Sequence, residues 1–142
     1  MKPDALKVLI YATSRNRLLV FDQPDFADVG LQVPGGTVES GEDVADAAHR
    51  EFHEETGLTP ARPLTPLTFH DYRFSRNGKQ ICHHRHYFHI ALDDALPTSW
   101  LHREMTPFGG GAPILFRFFW IDITEARHRL GYGMAHGLAM IG

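Results

Sequence analysis

The chain has 142 residues, enough for one domain (1–142) with its own core. Apolar residues make up 43% and charged residues 22%, which argues against wholesale disorder. A net charge of −3 argues against a nucleic-acid binder working by bulk positive charge, but leaves nucleotides open as small ligands.

In chain order, "LKVLIYAT" (6–13) and "RLLVF" (17–21) read as two strands with a tight connection at 14–16. Asp4 and Lys7 interrupt the first apolar run, so it reads as neither a signal peptide nor a membrane span. A loop follows, then a short strand "LQV" (31–33) ended by a sharp turn at Pro34-Gly35-Gly36. A helix is expected from Glu42 to Thr56, with Ser40 as N-cap, Asp43 completing a capping box, and Gly57 as its stop. Beyond it, 67–74 and 80–92 read as a hairpin around the Asn77-Gly78 turn. Residues 93–113 read as a long irregular segment, 114–123 as an apolar strand, and "TEARHRL" and "MAHGLAMI" as two short helices. Met134, Leu138 and Ile141 recur at helical spacing and suit core packing, or else a dimer contact. Strands around one long helix, with a helical end, predict a mixed α/β domain with helices packed on a central sheet.

The long helix breaks its own pattern. Val44, Ala47, Ala48 and Phe52 form the stripe that should pack on the sheet, while Asp46, His49 and His53 suit water. Glu51 and Glu55 continue the apolar stripe, and Glu54 sits at its margin. Three carboxylates there repel one another at the negative end of the helix dipole. Either this is a solvated charge network, or a cation is held there. Oxygen donors without cysteine point to Mg2+ or Mn2+ rather than zinc. Cys82 is the sole cysteine, which rules out a disulfide within the chain and fits a reducing, cytoplasmic location.

The stretch from Gly36 to Leu58 resembles the signature of Nudix hydrolases, G-x5-E-x7-R-E-U-x-E-E-x-G-U, where U is a bulky apolar residue. Gly36, Glu42, Arg50, Glu51, Phe52, Glu54, Glu55, Gly57 and Leu58 match every specified position. The resemblance implies a Nudix-type α/β/α sandwich, with a mixed β-sheet between helices. It implies a pyrophosphohydrolase that cleaves a nucleoside diphosphate linked to another moiety, or a nucleoside triphosphate, using Mg2+ or Mn2+. Carried over, Glu54 and Glu55 are the metal ligands, Glu51 a ligand or the base, and Gly36 could offer its carbonyl to the metal. Arg50 orients a glutamate rather than touching substrate, and Glu42 supports the site. The alternative is a catalytically silent Nudix-fold nucleotide-binding or sensor module. Such a module would be expected to lose box glutamates, and none is lost here.

Many members add an acid from a later loop. Asp93, Asp94 and Glu104 are the candidates here, with Glu104 preferred because it lies deepest between two strands. Gly35, Gly36, Tyr72 and His86 are the expected substrate contacts. The "HHRHYFH" run places His84 and His86 on one strand face and His83 and His89 on the other, a cleft wall or a zinc pair. Trp100, Phe108, Tyr72 and Trp120 could stack on a base, although core packing is the default for aromatics and above all for Trp120. The ten histidines would carry the charge from −3 to +7 if all were protonated, so binding should respond to pH between about 5 and 7. The expected partner is a small nucleotide derivative, with no nucleic acid or membrane, and the protein a monomer or homodimer.

Overall fold

The structure, a computed structural model, describes residues 2–93, 96–104 and 111–141. Seven strands form one mixed sheet: β1 (Ala5–Ser14), β2 (Arg17–Asp22), β3 (Gly35–Thr37), β4 (Thr65–Arg76), β5 (Lys79–Ala91), β6 (Ser99–Glu104) and β7 (Ile114–Asp122). Their order is β4-β5-β1-β2-β7-β6, with β3 attached to β1. Among these strands only β1 and β5 pair in parallel. Helix α1 (Val44–Thr56) covers one face, and α2 (Ile123–Arg129) with the C-terminal turns covers the other.

The alternation of β1 explains the layering. Val8, Ile10 and Ala12 join Ala47, Ala48 and Phe52 of α1 in one core cluster. Leu9 and Tyr11 point the opposite way, onto Ala126, Met134 and Leu138. Burying Phe52 alone is worth roughly 2–3 kcal/mol.

The β1–β2 hairpin is paired only near its turn, at Thr13↔Leu18 and Ser14↔Arg17, and then opens into a fork. Residues 31–37 fill the fork. Gln32 bridges to Phe21 of β2, and Gly35–Thr37 pairs with Lys7–Leu9 of β1. The predicted strand at 31–33 is therefore reduced to isolated bridges at Leu31 and Gln32, and in the predicted turn at Pro34-Gly35-Gly36 only Pro34 bends, while Gly35 and Gly36 open strand β3. Its glycines serve close approach rather than reversal. A Cβ on Gly35 would lie 2.4 Å from the Val8 carbonyl oxygen.

Helix α1 starts two residues later than expected. Asp43, not Ser40, is its N-cap, and its carboxylate accepts the Asp46 N–H at 3.1 Å. Asp43→Ala should therefore lower stability by about 1 kcal/mol in denaturant titration, whereas Ser40→Ala should change little. Gly57 ends the helix in the left-handed region at φ 80°, as its position predicts. The Asn77-Gly78 turn also forms as expected, with φ of 51° and 76°.

Two further expectations are corrected. The segment 93–113 contains β6, paired along β7 from Ser99↔Phe119 to Glu104↔Ile114. The second C-terminal helix is a series of turns ending in one 3-10 turn, Leu138–Met140. Gly133 and Gly137 punctuate that stretch and favour turns over a continuous helix. Met134 and Leu138 are buried in the core, as their spacing suggests. Among the described residues no helix is long and apolar enough to cross a membrane.

Candidate active site

A cavity of about 970 Å3 runs through the β1–β2 fork. Its walls come from both faces of the sheet, so its two ends differ in chemistry. One end is acidic, lined by Glu51, Glu54 and Glu55 of α1, Glu104 of β6, and the backbone of Gly35 and Gly36.

Helix periodicity places the glutamates. Glu51 and Glu55 are 9% and 7% exposed, on the same stripe as Phe52, while the Glu54 side chain is 48% exposed at the margin. The Gly35 N–H donates to Glu55 Oε1 at 3.1 Å. Glu51 lies flat on Gly36, where an added Cβ would fall 1.9 Å from Oε2. Strand β6 holds the far end of the helix. Trp100 Nε1–H donates to the Thr56 carbonyl at 3.0 Å, and His102 Nε2 lies 2.7 Å from the Glu54 carbonyl oxygen. Trp100, His102 and Glu104 alternate onto the same side of β6, so the contacts that dock the strand also bring Glu104 to the cluster.

Burial raises the pKa of Glu51, opposed by Arg50 and reinforced by Glu54 and Glu104. Burial also raises Glu55, with Glu104 and Glu51 adding to it and the Gly35 N–H opposing. Glu104 is raised by burial and by Glu54. Burial first, and neighbouring carboxylates second, thus push Glu51, Glu55 and Glu104 toward the neutral form.

Arg50 is the organising cation. Its Nε and Nη2 bond both oxygens of Glu42 at 2.8 Å each, and Nη1 reaches Glu51 at 2.7 Å and Glu54 at 3.2 Å. Nη2 also donates to the Thr37 carbonyl at 3.1 Å, tying the helix to β3. Glu42, gripped by Arg50 and by the Glu39 N–H, is lowered to about 2. Arg50 lines the cavity too, but these bonds go to glutamates and to the Thr37 carbonyl.

The acidic end suits a hard divalent cation. Its donors are oxygens only, and its buried carboxylates are short of positive charge. Among the described residues no group of three or more His, Cys, Asp or Glu side chains converges on one point, because Arg50 lies between Glu51 and Glu54.

The other sequence candidates divide. Tyr72 lines the cavity, but His86 does not. His86 shares the α1 side of β5 with Phe88 and Ile90, packed near His84 and Phe69. His84 bonds Asp71 at 2.5 Å. The cavity side of β5 carries His83 and Arg85 instead; strand parity groups Arg85 with His83, but does not tell which face meets the cavity. His89 lies 2.8 Å from the Thr13 hydroxyl. Asp93 lies by Trp120 in a separate, smaller depression. Trp100 stacks on Phe118 in the core. Asp94 and Phe108 lie outside the described residues.

A sheet between helices, with a glutamate-rich helix laid on a glycine strand, defines the Nudix class of pyrophosphohydrolases. The NUDIX domain model matches residues 1–137, and the chain belongs to that family. No curated protein gives a significant sequence match. Among solved structures it is similar to a MutT NUDIX hydrolase from Burkholderia pseudomallei, at 19% identity and TM-score 0.65, covering 100% of both chains. It is also similar to the NUDIX domain of Shewanella oneidensis NrtR complexed with ADP ribose, at 10% identity and TM-score 0.67, covering 99% of this chain and 87% of that one. A C. elegans Ap4A hydrolase aligns at 17% identity and TM-score 0.60, covering 96% and 94%. At these identities the likeness is one of fold.

Proposed function

We propose that this protein hydrolyses a diphosphate linkage in a nucleoside diphosphate joined to another moiety, or in a nucleoside triphosphate, with Mg2+ or Mn2+ as cofactor. The observation that carries this reading is the buried acidic end of the cavity, where carboxylates crowd beside the Gly35-Gly36 strand. Glu51, Glu54 and Glu55, with the Gly36 carbonyl, would hold the cation. When bound, such a cation neutralises phosphoryl oxygens and acidifies water. Arg50 keeps the glutamates oriented through its bonds to Glu42, Glu51 and Glu54. Glu104, whose pKa is raised, suits the base that takes the proton from the attacking water. A single domain working in the cytoplasm fits the lone Cys82.

The test is a screen of nucleoside diphosphate conjugates and nucleoside triphosphates with Mg2+ or Mn2+. Hydrolysis that chelation abolishes is the expected result. Tight nucleotide binding without turnover under any divalent cation would favour a silent sensor module and overturn the proposal.

Metal binding should also appear in stability. The folded-state pKa values of Glu51 and Glu55 lie above the ordinary 4.5, so the folded chain holds these protons more tightly than the unfolded one. Their contribution is most favourable at low pH and declines as pH rises from about 4.5 through the raised values. A divalent cation should offset that decline. Added Mg2+ is expected to raise Tm at about pH 7 and to do so much less at about pH 5. A Tm indifferent to Mg2+ and Mn2+ at both values would remove the metal from the reading.

A further inference from the structure

Beyond the glutamates the cavity wall carries another arginine, more deeply buried than Arg50. Arg85 is 4% exposed, yet it lines the cavity, and among the described residues no carboxylate lies within ion-pair reach of it. Its guanidinium lies 3.9 Å above the Tyr72 ring, and Nη1 donates to the Tyr132 carbonyl at 2.6 Å. These contacts fix one face and one corner of the fork. The Tyr87 hydroxyl is a further neighbour, and Arg85 remains part of the cavity wall. Burying a guanidinium without an anion is costly, and a stacked, pre-oriented one is suited to bidentate capture of an oxyanion.

The surroundings repeat that character. Lys7 and Arg76 line the same cavity, and Phe74, against which Arg76 and His83 pack, continues the aromatic wall from Tyr72. Burial, with Lys7, Arg85 and Arg76 nearby, lowers His83 to about 4, so it stays neutral at pH 7 and leaves the positive charge to its neighbours. Lys7 interacts with Glu51 and Glu55 as well as with Arg85 and Arg76 and so links the two regions, whereas Arg85 and Arg76 lie against the aromatic wall of Tyr72 and Phe74.

We infer that Arg85 is a specificity-determining residue that receives a second oxyanion of the substrate, a phosphate or carboxylate on the moiety beyond the diphosphate that is cleaved. This rests on the diphosphate hydrolase reading. It selects, within that class, substrates carrying two separated anionic groups over those whose second moiety is neutral.

Matched pairs test it. UDP-glucose against UDP-glucuronate differs in a carboxylate, and ADP-ribose against ADP-ribose 1″-phosphate in a phosphate on the distal ribose. Wild-type protein with Mg2+ should favour the charged member of at least one pair by about tenfold or more in kcat/KM, mainly through KM. Arg85→Met should shrink that ratio below about twofold, and Arg85→Lys should restore part of it. Calorimetric binding in chelator gives the same comparison without turnover. Should Arg85→Met fail to fold, the wild-type ratios and Arg85→Lys still decide. Hydrolysis of both pairs without preference overturns the inference and leaves the hydrolase reading intact. Charge-selective binding that depends on Arg85, without hydrolysis of anything, does the reverse. No preference in either measurement overturns the inference outright.

Discussion

Glu54→Gln and Glu55→Gln are each expected to lower kcat for metal-dependent hydrolysis by about 10²- to 10⁴-fold while the fold survives. The amide matches the carboxylate in size but carries no charge. At Glu55 the change removes a buried anion whose pKa burial already raises, so the metal-free variant should melt no lower than wild type. The introduced amide would keep a carbonyl oxygen for the Gly35 N–H. At Glu54 the half-exposed side chain loses only its Arg50 contact at 3.2 Å, an exposed pair worth little to stability. Lost turnover in a protein of unchanged Tm therefore reports on chemistry. Glu104→Gln separates the roles further. If Glu104 is the base, its variant loses kcat but binds Mg2+ as wild type does, whereas the α1 variants lose metal affinity as well. Wild-type turnover in both Glu54→Gln and Glu55→Gln would sink the site assignment.

The face of α1 was legible because helical periodicity needs no partner. Ala47, Ala48, Phe52, Glu51 and Glu55 are buried together, as a wheel drawn from the sequence requires. Gly57 and Asn77-Gly78 were legible because left-handed backbone favours few residue types. Strand β6 was not. Its inward residues are Trp100, His102 and Glu104, which spend their polar atoms on the end of α1 and on the cavity rather than forming an apolar alternation. The sequence places Glu104 in the right region, but only the pairing with β7 explains how it reaches the glutamates. Strand β3 was hidden for a related reason. Glycine has low strand propensity, so Gly35-Gly36 reads as a turn unless it is known that β1 and Glu51 leave room for nothing larger. Arg85 went unread because its partners, Tyr72 and the Tyr132 carbonyl, are brought to it by tertiary structure alone.

The two glycines should fail in different ways when replaced by alanine. A Cβ on Gly35 would meet the Val8 carbonyl oxygen at 2.4 Å and Leu9 Cδ2 at 2.6 Å. The first of these is backbone, paired in the sheet, and cannot swing aside. Relief requires β3 to draw away from β1, at a cost of about 1–3 kcal/mol or more. Gly35→Ala is therefore expected to lower Tm by several degrees, on the order of 4 °C per kcal/mol for a chain of this size. A Cβ on Gly36 meets instead the far end of one side chain, at 1.9 Å from Glu51 Oε2 and 2.1 Å from its Cδ. Glu51 can rotate away, giving up its place on β3 and its bond to Arg50. Gly36→Ala should then fold with a smaller loss of Tm and lose about 10²-fold or more in kcat, because misplaced groups at a reacting centre cost rate steeply. Thermal melts and steady-state kinetics on both variants read the contrast. If Gly36→Ala turns over at the wild-type rate, Glu51 does not act from where it lies. If it melts as low as Gly35→Ala, the contact of Glu51 with β3 is a structural element of the sheet edge rather than part of a reacting centre.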